Sequence, residues 1–514
     1  MKSIFSLGFG IGIAAAAVAG RLSAAEAGSG IPLRLVEEDA NQVVLERLEA
    51  GVYEIETTGR DPYVFTAPLS GAFAPARRHV LSFEYFCPSG LDSFQVFFGP
   101  PITEKRSAEG EPLSVSEGWV SYALDMQASE AWGDSVAVLR LDFGRRSGRT
   151  IRLRNLELRA PTAHERRLAQ ERAARERRQR ELRAGLEEYY RTDYPGAVES
   201  VIVREDTIEI SGHVPGDRGQ VFLCEVPIWA RAVGAEGLRA APGRRLGAGP
   251  FRVSAPRFRS GDSSPGDRAY AGWALAVDNR EPRLISHVRY ADGAPSRQDL
   301  EQMQPRSQKG LGAVRVNPEG IADYRELGID NMTVNILLTN LLRTRKREGD
   351  LTFRHGGRTY WMNRAAIERL DARLRAADEL GIVVTAILLV QKPAHIGDPE
   401  VKRLLPHPDC DPSGIYAMPN VTDPAAVALY QAVLHFLAQR YTRPDRAHGR
   451  ITHWILHNEV DAGWVWTNAG EKPMILYMDL YVRSMRIAYQ SLRQYHPDGG
   501  VFNSHTHHWA KTGH

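Results

Sequence analysis

Residues 381–390, GIVVTAILLV, hold one polar side chain, Thr385, in a run of ten. So apolar a strand is at home only where both of its faces are covered, which is the position of a parallel strand inside an α/β domain. The chain around it fits that setting. From about residue 310 the hydrophobic period alternates between strand and helix. LGAVRVN (311–317) is a first strand, with a short helix IADYRELG after it, and NMTVNILLTNLL (331–342) is a second. A hairpin DLTFRHGGRTYWMN turns at Gly356 and Gly357, and a helix carries Ile367, Leu370 and Leu374 on one face and stops at Gly381. The run 381–390 is the third strand, ITHWILHNE the fourth and GVFNSHTHHW (500–509) the fifth, with helices over about 424–441 and from 474.

Repeated βα units with polar residues at the strand ends predict a (β/α)8 TIM barrel over 309–514, since the Gly-rich phosphate loop of a doubly wound sheet is missing from the sequence. Such a barrel uses eight strands, and this segment supplies about five. We therefore expect a barrel truncated after about five strands, either a gene-model fragment or a genuine truncation. Five strands alone would leave parallel edges and an apolar face uncovered.

The rest of the chain reads as separate domains. Residues 31–160 alternate apolar and polar with period two at VYEIET, HVLSFEYF, DSFQVFFG, WVSYALDM, SVAVLRLDFG and TIRLRNLEL, with Gly and Pro between. That pattern predicts an N-terminal β-sandwich, jelly-roll-like and similar in pattern to carbohydrate-binding modules. Trp119, Tyr122 and Trp132 are either sugar platforms or, more commonly for lone aromatics in a β-domain, core. Residues 163–190 switch to Arg, Glu and Ala, predicting a solvated helical spacer held by i,i+4 pairs, with Leu182, Leu186 and Tyr189 docking its far end. Residues 194–295 return to short strands separated by Pro–Gly turns, a second β-rich domain whose expected work is structural.

Bulk properties exclude several functions. A formal charge of +3 over 514 residues gives no global attraction to nucleic acid or anionic membrane. The start, MKSIFSLGFGIGIAAAAVAGRLSAA, has one Lys, an apolar stretch and a small-residue cleavage site, so residues 1–25 read as a signal peptide of a secreted or periplasmic protein, with no membrane span after cleavage. Cys87, Cys224 and Cys410 are too few and too scattered for a disulfide scaffold; one bridge or three buried thiols remain open, the thiols favoured.

The chemistry concentrates at 451–466, ITHWILHNEVDAGWVW. An apolar run ends abruptly in His457, Asn458 and Glu459, and Asp461, Trp464 and Trp466 follow. Ionisable groups beside a buried strand end cost free energy unless they are paired or used. At the C-terminal end of a barrel strand, a Glu can act as general acid/base toward a glycosidic bond. The motifs KGLGAVRVN, TVNILLTNLL, GGRTYWMN, GIVVTAILLV, HFLAQRY, GRITHWILHNEV and HTHHW together resemble a bacterial family of unknown function, number 5722, with a glycosidase-like barrel. The pair Asn458–Glu459 resembles the Asn–Glu that closes the fourth strand in clan A glycoside hydrolases. The resemblance implies Glu459 as proton donor, Asn458 as contact to the sugar 2-hydroxyl, and Trp464 and Trp466 as sugar platforms.

Other candidates are weighed against duller roles. Asn317, Asn335 and Asn340 could contact substrate or satisfy loop backbone, the second being favoured for Asn335 inside its strand. On a strand, His505 and His507 would share a face and point into the site as substrate-binding groups. A zinc site there, with His508 nearby, lacks a third ligand of convincing spacing. His457 should face away from the site. No cofactor is expected. The expected function is a secreted carbohydrate-active protein: a retaining glycoside hydrolase with Glu459 as acid/base, acting on a poly- or oligosaccharide partner. The alternative is a non-catalytic glycan-binding or cell-envelope protein with a degenerate or truncated barrel.

Overall fold

The computed structural model describes residues 30–49, 51–69, 74–133, 136–216, 219–231, 244–259, 266–277, 283–298, 300, 303–312 and 318–506. The expected signal peptide, Asn317, His507 and His508 lie outside them. The chain divides into two compact units, Met1–Arg175 and Glu176–His514.

The first unit holds two antiparallel sheets. One runs in the order Val43–Glu49, Val52–Thr57, Thr150–Arg159, Val80–Phe86, Val120–Asp125, with Ile31–Pro32 beside Thr150–Arg159. The other runs Leu35–Asn41, Tyr63–Thr66, Val138–Asp142, Phe94–Gly99, Ser107–Gly110. Alternate residues such as Ile55, Phe83, Phe94, Phe98, Leu139 and Leu153 form the buried layer between them, which is the sandwich the period-two pattern predicts. Several strands escaped that pattern. LVEEDAN and SAEG are short, polar edge strands whose pairing is decided by neighbours rather than by their own alternation. Cys87, Cys224 and Cys410 are all free thiols; Cys410 is half-buried rather than buried.

A helix, Ala163–Arg191, crosses the division between the units. It starts with a capping box: the Thr162 hydroxyl accepts from the Glu165 N–H at 3.2 Å, and the Glu165 carboxylate accepts from the Thr162 N–H at 2.7 Å. Along its length, pairs such as Arg183–Glu187 face solvent, and Leu186 is its buried residue. The Tyr189 hydroxyl accepts from the Val288 N–H at 2.8 Å, fastening the far end to the second β-rich segment.

That segment folds as two small sheets, Ala197–Val203, Thr207–Val214, Gly249–Pro256 in one and Arg244–Leu246, Val221–Val226, Gly272–Val277, Arg283–Leu284 in the other. Val201, Ile208, Ile210, Leu223, Trp273 and Leu275 are among its core residues.

The remainder is α/β. Five parallel strands lie in chain order: β1 (Gly310–Gly312), β2 (Asn331–Leu337), β3 (Val383–Gln391), β4 (His453–Leu456) and β5 (Val501–Phe502). Between them come helices α1 (Pro318–Glu326), α2 (Arg364–Glu379), α3 (Pro424–Tyr441) and α4 (Met474–Arg493). Among the described residues this is an open five-strand sheet and not a closed barrel. Its two faces differ. Met332, Val334, Ile336, Ala386, Leu388, Trp454 and Leu456 are buried in one core with the helices, whereas Thr333, Asn335 and Phe502 are exposed and Thr385, Ile387 and Ile455 half-buried on the other face. Asn335, expected to satisfy structure inside its strand, thus stands on the open face.

Helix α3 is apolar nearly all round and buried along most of its length, sharing one core with the sheet strands and with Ile228 and Tyr270 of the second β-rich segment. Across that second contact the Tyr270 hydroxyl meets His435 Nε2 at 2.6 Å and Ser491 Oγ at 3.0 Å. The buried Arg483 of α4 donates to the carbonyls of Ile228, Trp229 and Val421 and pairs with Asp479, which also binds Arg231. The accessory β-segment and the α/β segment therefore share one core and one buried polar network.

Candidate functional site

The C-terminal ends of the parallel strands gather the polar groups. Strand β4 stops at Leu456, in register with Leu388 of β3. His457 turns inward: it is buried, its Nδ1 lies 2.6 Å from the Leu388 carbonyl, its Nε2 lies 3.0 Å from Ser484 Oγ, and burial lowers its pKa to about 4. Asn458 and Glu459 come next, both half-buried.

Glu459 has a left-handed backbone, φ 41° and ψ 66°. A residue with a Cβ pays for that conformation, and such outliers persist only where surrounding bonds over-determine them. Here the bonds are identifiable. Ser504, just past β5, accepts from the Glu459 N–H at 2.9 Å and donates to the His457 carbonyl at 3.1 Å. The Val460 N–H reaches the Ser504 carbonyl at 3.1 Å. The Thr467 hydroxyl donates to the Asn458 carbonyl at 3.0 Å. From α4, the Tyr477 hydroxyl donates to the Val460 and Thr467 carbonyls, and the Tyr481 hydroxyl to that of Leu456. The turn is clamped from both sides.

Asp461 lies beside it, accepting from the Thr506 N–H at 2.9 Å and its hydroxyl at 2.8 Å, with His505 Nδ1 3.8 Å away. Burial works to raise this carboxyl, yet the Thr506 bonds outweigh it and hold its pKa below the usual value. Trp464 and Trp466 sit on a short helix, Gly463–Trp466. The Trp464 carbonyl accepts from Asn468 Nδ2 at 2.7 Å, and the Trp466 ring lies 6.1 Å from Tyr416 at a tilt of 32°. Tyr416 pairs with Gln391, the last residue of β3, whose side chain meets Thr339 Oγ1 at 2.9 Å.

The structure thus brings Asn458, Glu459, Trp464, Trp466 and His505 to one loop cluster at the ends of β4 and β5. It corrects two placements. The run 331–342 is not one strand: β2 ends at Leu337 and Leu338–Leu341 is a short helix, so Asn340 lies beyond the strand end, exposed, its carbonyl accepting from Asn363 Nδ2. His505 is not on a strand either, because β5 ends at Phe502; its Nε2 lies 2.6 Å from Asn503 Nδ2. The shared-face argument for His505 and His507 falls with it, since alternation needs extended, paired backbone. Among the described residues no group of three His, Cys, Asp or Glu could hold a metal ion, and no helix is long and apolar enough to cross a membrane. The sequence reading passed over Ser504, Thr506, Gln391, Thr339 and Tyr416. Ser504 had a signal: it follows an apolar pair at the end of a strand, as Asn458 does.

In the first unit, Tyr122 stacks on Phe83 and Trp132 donates to the Pro75 carbonyl while packing against Phe98, so both belong to the core margin. Trp119 is exposed, with the Arg154 guanidinium 4.3 Å above its ring.

Several solved structures overlap parts of this fold. A family 11 carbohydrate-binding module from Clostridium thermocellum, in complex with a β-1,3-1,4-mixed-linked tetrasaccharide, is 10% identical and covers 26% of this chain and 98% of its own, with a TM-score of 0.19. A β-1,2-glucanase from Parabacteroides distasonis, 10% identical, covers 50% of this chain and 36% of its own at 0.19. A Bacteroides uniformis β-glucuronidase, 10% identical, covers 87% of this chain and 47% of its own at 0.21. Scores this low carry no argument about function. No curated protein matches the chain by sequence. A family model does match residues 301–514, and this segment belongs to the family of unknown function DUF5722.

Proposed function

We propose that the protein is a secreted carbohydrate-active protein whose α/β segment is built as part of a glycosidase-like TIM barrel. Strands in chain order with the helices packed on one face are the winding of a barrel, whereas a doubly wound sheet reverses direction and covers both faces. The observation that carries the reading is Glu459: an ionisable side chain on a left-handed residue, held by Ser504 at a strand's C-terminal end. In a retaining cycle Glu459 would give its proton to the glycosidic oxygen as the C1–O bond breaks and a second carboxylate bonds to C1, and would then take a proton from the water that displaces that carboxylate and frees the sugar, with Asn458 beside the 2-hydroxyl.

Retention requires a second carboxylate. Among the described strand ends, Thr339, Gln391 and Ser504 supply none, and Asp461 is engaged by Thr506. That observation favours the second reading, a protein that binds glycan without cleaving it. The full chain and its Glu459→Gln variant, compared on a panel of polysaccharides and aryl glycosides, separate the two. Turnover that the variant loses, and that azide restores in a Glu459→Ala variant with retained anomeric configuration, supports the enzyme. No turnover by either protein, with glycan binding unchanged by the substitution, supports the binder.

A further inference from the structure

The two outer faces of the N-terminal sandwich are chemically different. The outer face of the sheet containing Thr150–Arg159 is lined with ion pairs, Arg152–Glu54 and Arg154–Glu84. On the other sheet, register aligns two neighbouring rows across the strands. Phe65, Arg140, Phe97 and Ser107 form one row; Tyr63, Asp142, Gln95 and Glu109 form the next. These residues alternate with the core positions Val64, Leu139, Leu141, Val96 and Phe98 and so stand on the outer face, where Phe97 is itself buried beneath the Arg140 guanidinium and Tyr63, Phe65 and Gln95 stay partly exposed.

Arg140 is the fixed centre of this face. Its Nε and Nη2 bind both Asp142 oxygens at 2.9 and 2.8 Å, and its guanidinium lies 4.4 Å from the Tyr63 ring centroid and 4.1 Å from that of Phe97. Tyr63 and Phe65 meet edge to face at 5.7 Å and stay half-exposed. Gln95 Nε2 is held by Ser107 Oγ at 3.0 Å. Planar polar groups with fixed orientation, interleaved with aromatic faces, suit a ligand that has apolar C–H faces and a rim of hydroxyls. The four strands that carry these rows, spaced about 4.8 Å apart, give a track of about 14 Å across the sheet, enough for a short run of sugar units.

Charge narrows the ligand. Burial, with Asp61 and Glu104 adding to it against the pull of Arg140, raises the Asp142 carboxyl to about 6. Arg140 is neutralised by Asp142, and the neighbouring carboxylates repel a polyanion.

We propose that the outer face of the sheet bearing Tyr63, Phe65, Gln95 and Arg140 is a binding site for a neutral polysaccharide chain lying across the strands. The site belongs to the first unit and Glu459 to the second, and the proposal does not depend on the chemistry proposed for Glu459. Affinity electrophoresis of the full chain carrying Glu459→Gln, so that turnover consumes no polymer, provides the test. The probes are mixed-linkage β-glucan, xyloglucan, arabinoxylan and galactomannan as neutral polymers, and polygalacturonate and alginate as polyanions.

The expected result is retardation by at least one neutral polymer and by neither polyanion. Tyr63→Ala and Phe65→Ala should each weaken it by about tenfold, with the thermal unfolding of the protein unchanged. Gln95→Ala, on the outer face where the side chain is held by Ser107, gives a third variant should either aromatic substitution disturb folding. Failure of every neutral polymer to bind overturns the proposal, as does retardation that all three variants leave intact. Equal retardation by the polyanions overturns the assignment of a neutral ligand.

Discussion

The Ser504 hydroxyl bridges the ends of two strands, accepting from the Glu459 N–H at 2.9 Å and donating to the His457 carbonyl at 3.1 Å. One side chain from beyond β5 thereby holds the backbone of the residue after β4 in its left-handed state. Ser504→Ala leaves both groups short of a partner, and we expect a loss of about 1–2 kcal/mol in urea unfolding, together with a lower rate in any glycosidase assay to which the native protein responds. Unchanged stability would mean that water replaces the hydroxyl and that Ser504 positions nothing.

Glu459 sits at φ 41°, where glycine is at ease and glutamate is not. Replacing it by Gly should leave stability unchanged or raise it by up to about 1 kcal/mol while abolishing any catalysis. A thermal midpoint lowered by several degrees would instead assign Glu459 a structural role.

Acid should act on the two units with opposite sign. Burial lowers His457 and His355 to about 4, below the unfolded value of 6.5. The folded state then binds fewer protons than the unfolded one, so this stability is complete above pH 6.5 and falls as pH drops from 6.5 toward 4. Asp142, raised from 3.8 to about 6 chiefly by burial, behaves in reverse: its penalty is full above pH 6 and is relieved as pH falls through 6 toward 3.8. Calorimetry at pH 7 and 5 should show the transition of Glu176–His514 moving down and that of Met1–Arg175 moving less, or upward. Equal shifts of both transitions would contradict this.

Arg483 is 4% exposed and donates to three carbonyls from two segments besides pairing with Asp479. Arg483→Met leaves those carbonyls unpaired and should cost about 3–5 kcal/mol, with new proteolytic cleavage near residues 228–231. Resistance to protease equal to that of the native protein would show the second β-segment to be held by its apolar contacts alone.

Trp464 is 40% exposed at the candidate site. Trp464→Ala should change stability by less than about 1 kcal/mol and weaken glycan binding at the Glu459 site, read by tryptophan fluorescence titration. It should leave retention by the Tyr63 face intact, since the two sites lie in different units.

Local pattern made much of this legible. Period-two alternation located the strands with strong apolar faces in the first unit, Gly381 stopped α2 where the Gly signal placed it, and the apolar run around Leu388 marked the central parallel strand. Asn458 and Glu459 stood out because an amide and an ionisable carboxyl directly after buried residues are costly. Other features had no local signature. The strands LVEEDAN and SAEG owe their existence to a neighbour's hydrogen bonds, and the turn of 331–342 into helix at Leu338 is decided by packing in the shared core.

By itself, then, the sequence determined where the strongly periodic strands and helices lie, and which strand end carries the carboxylate, because periodicity and the cost of burying charge are properties of short stretches. Only the tertiary structure decided that Ser504 holds Glu459, that Asp461 is engaged by Thr506, and that Tyr63, Phe65, Gln95 and Arg140 share a face. From one strand or loop to the next those residues are 30 to 77 positions apart in the chain, and strand register, which no single segment encodes, is what makes them neighbours.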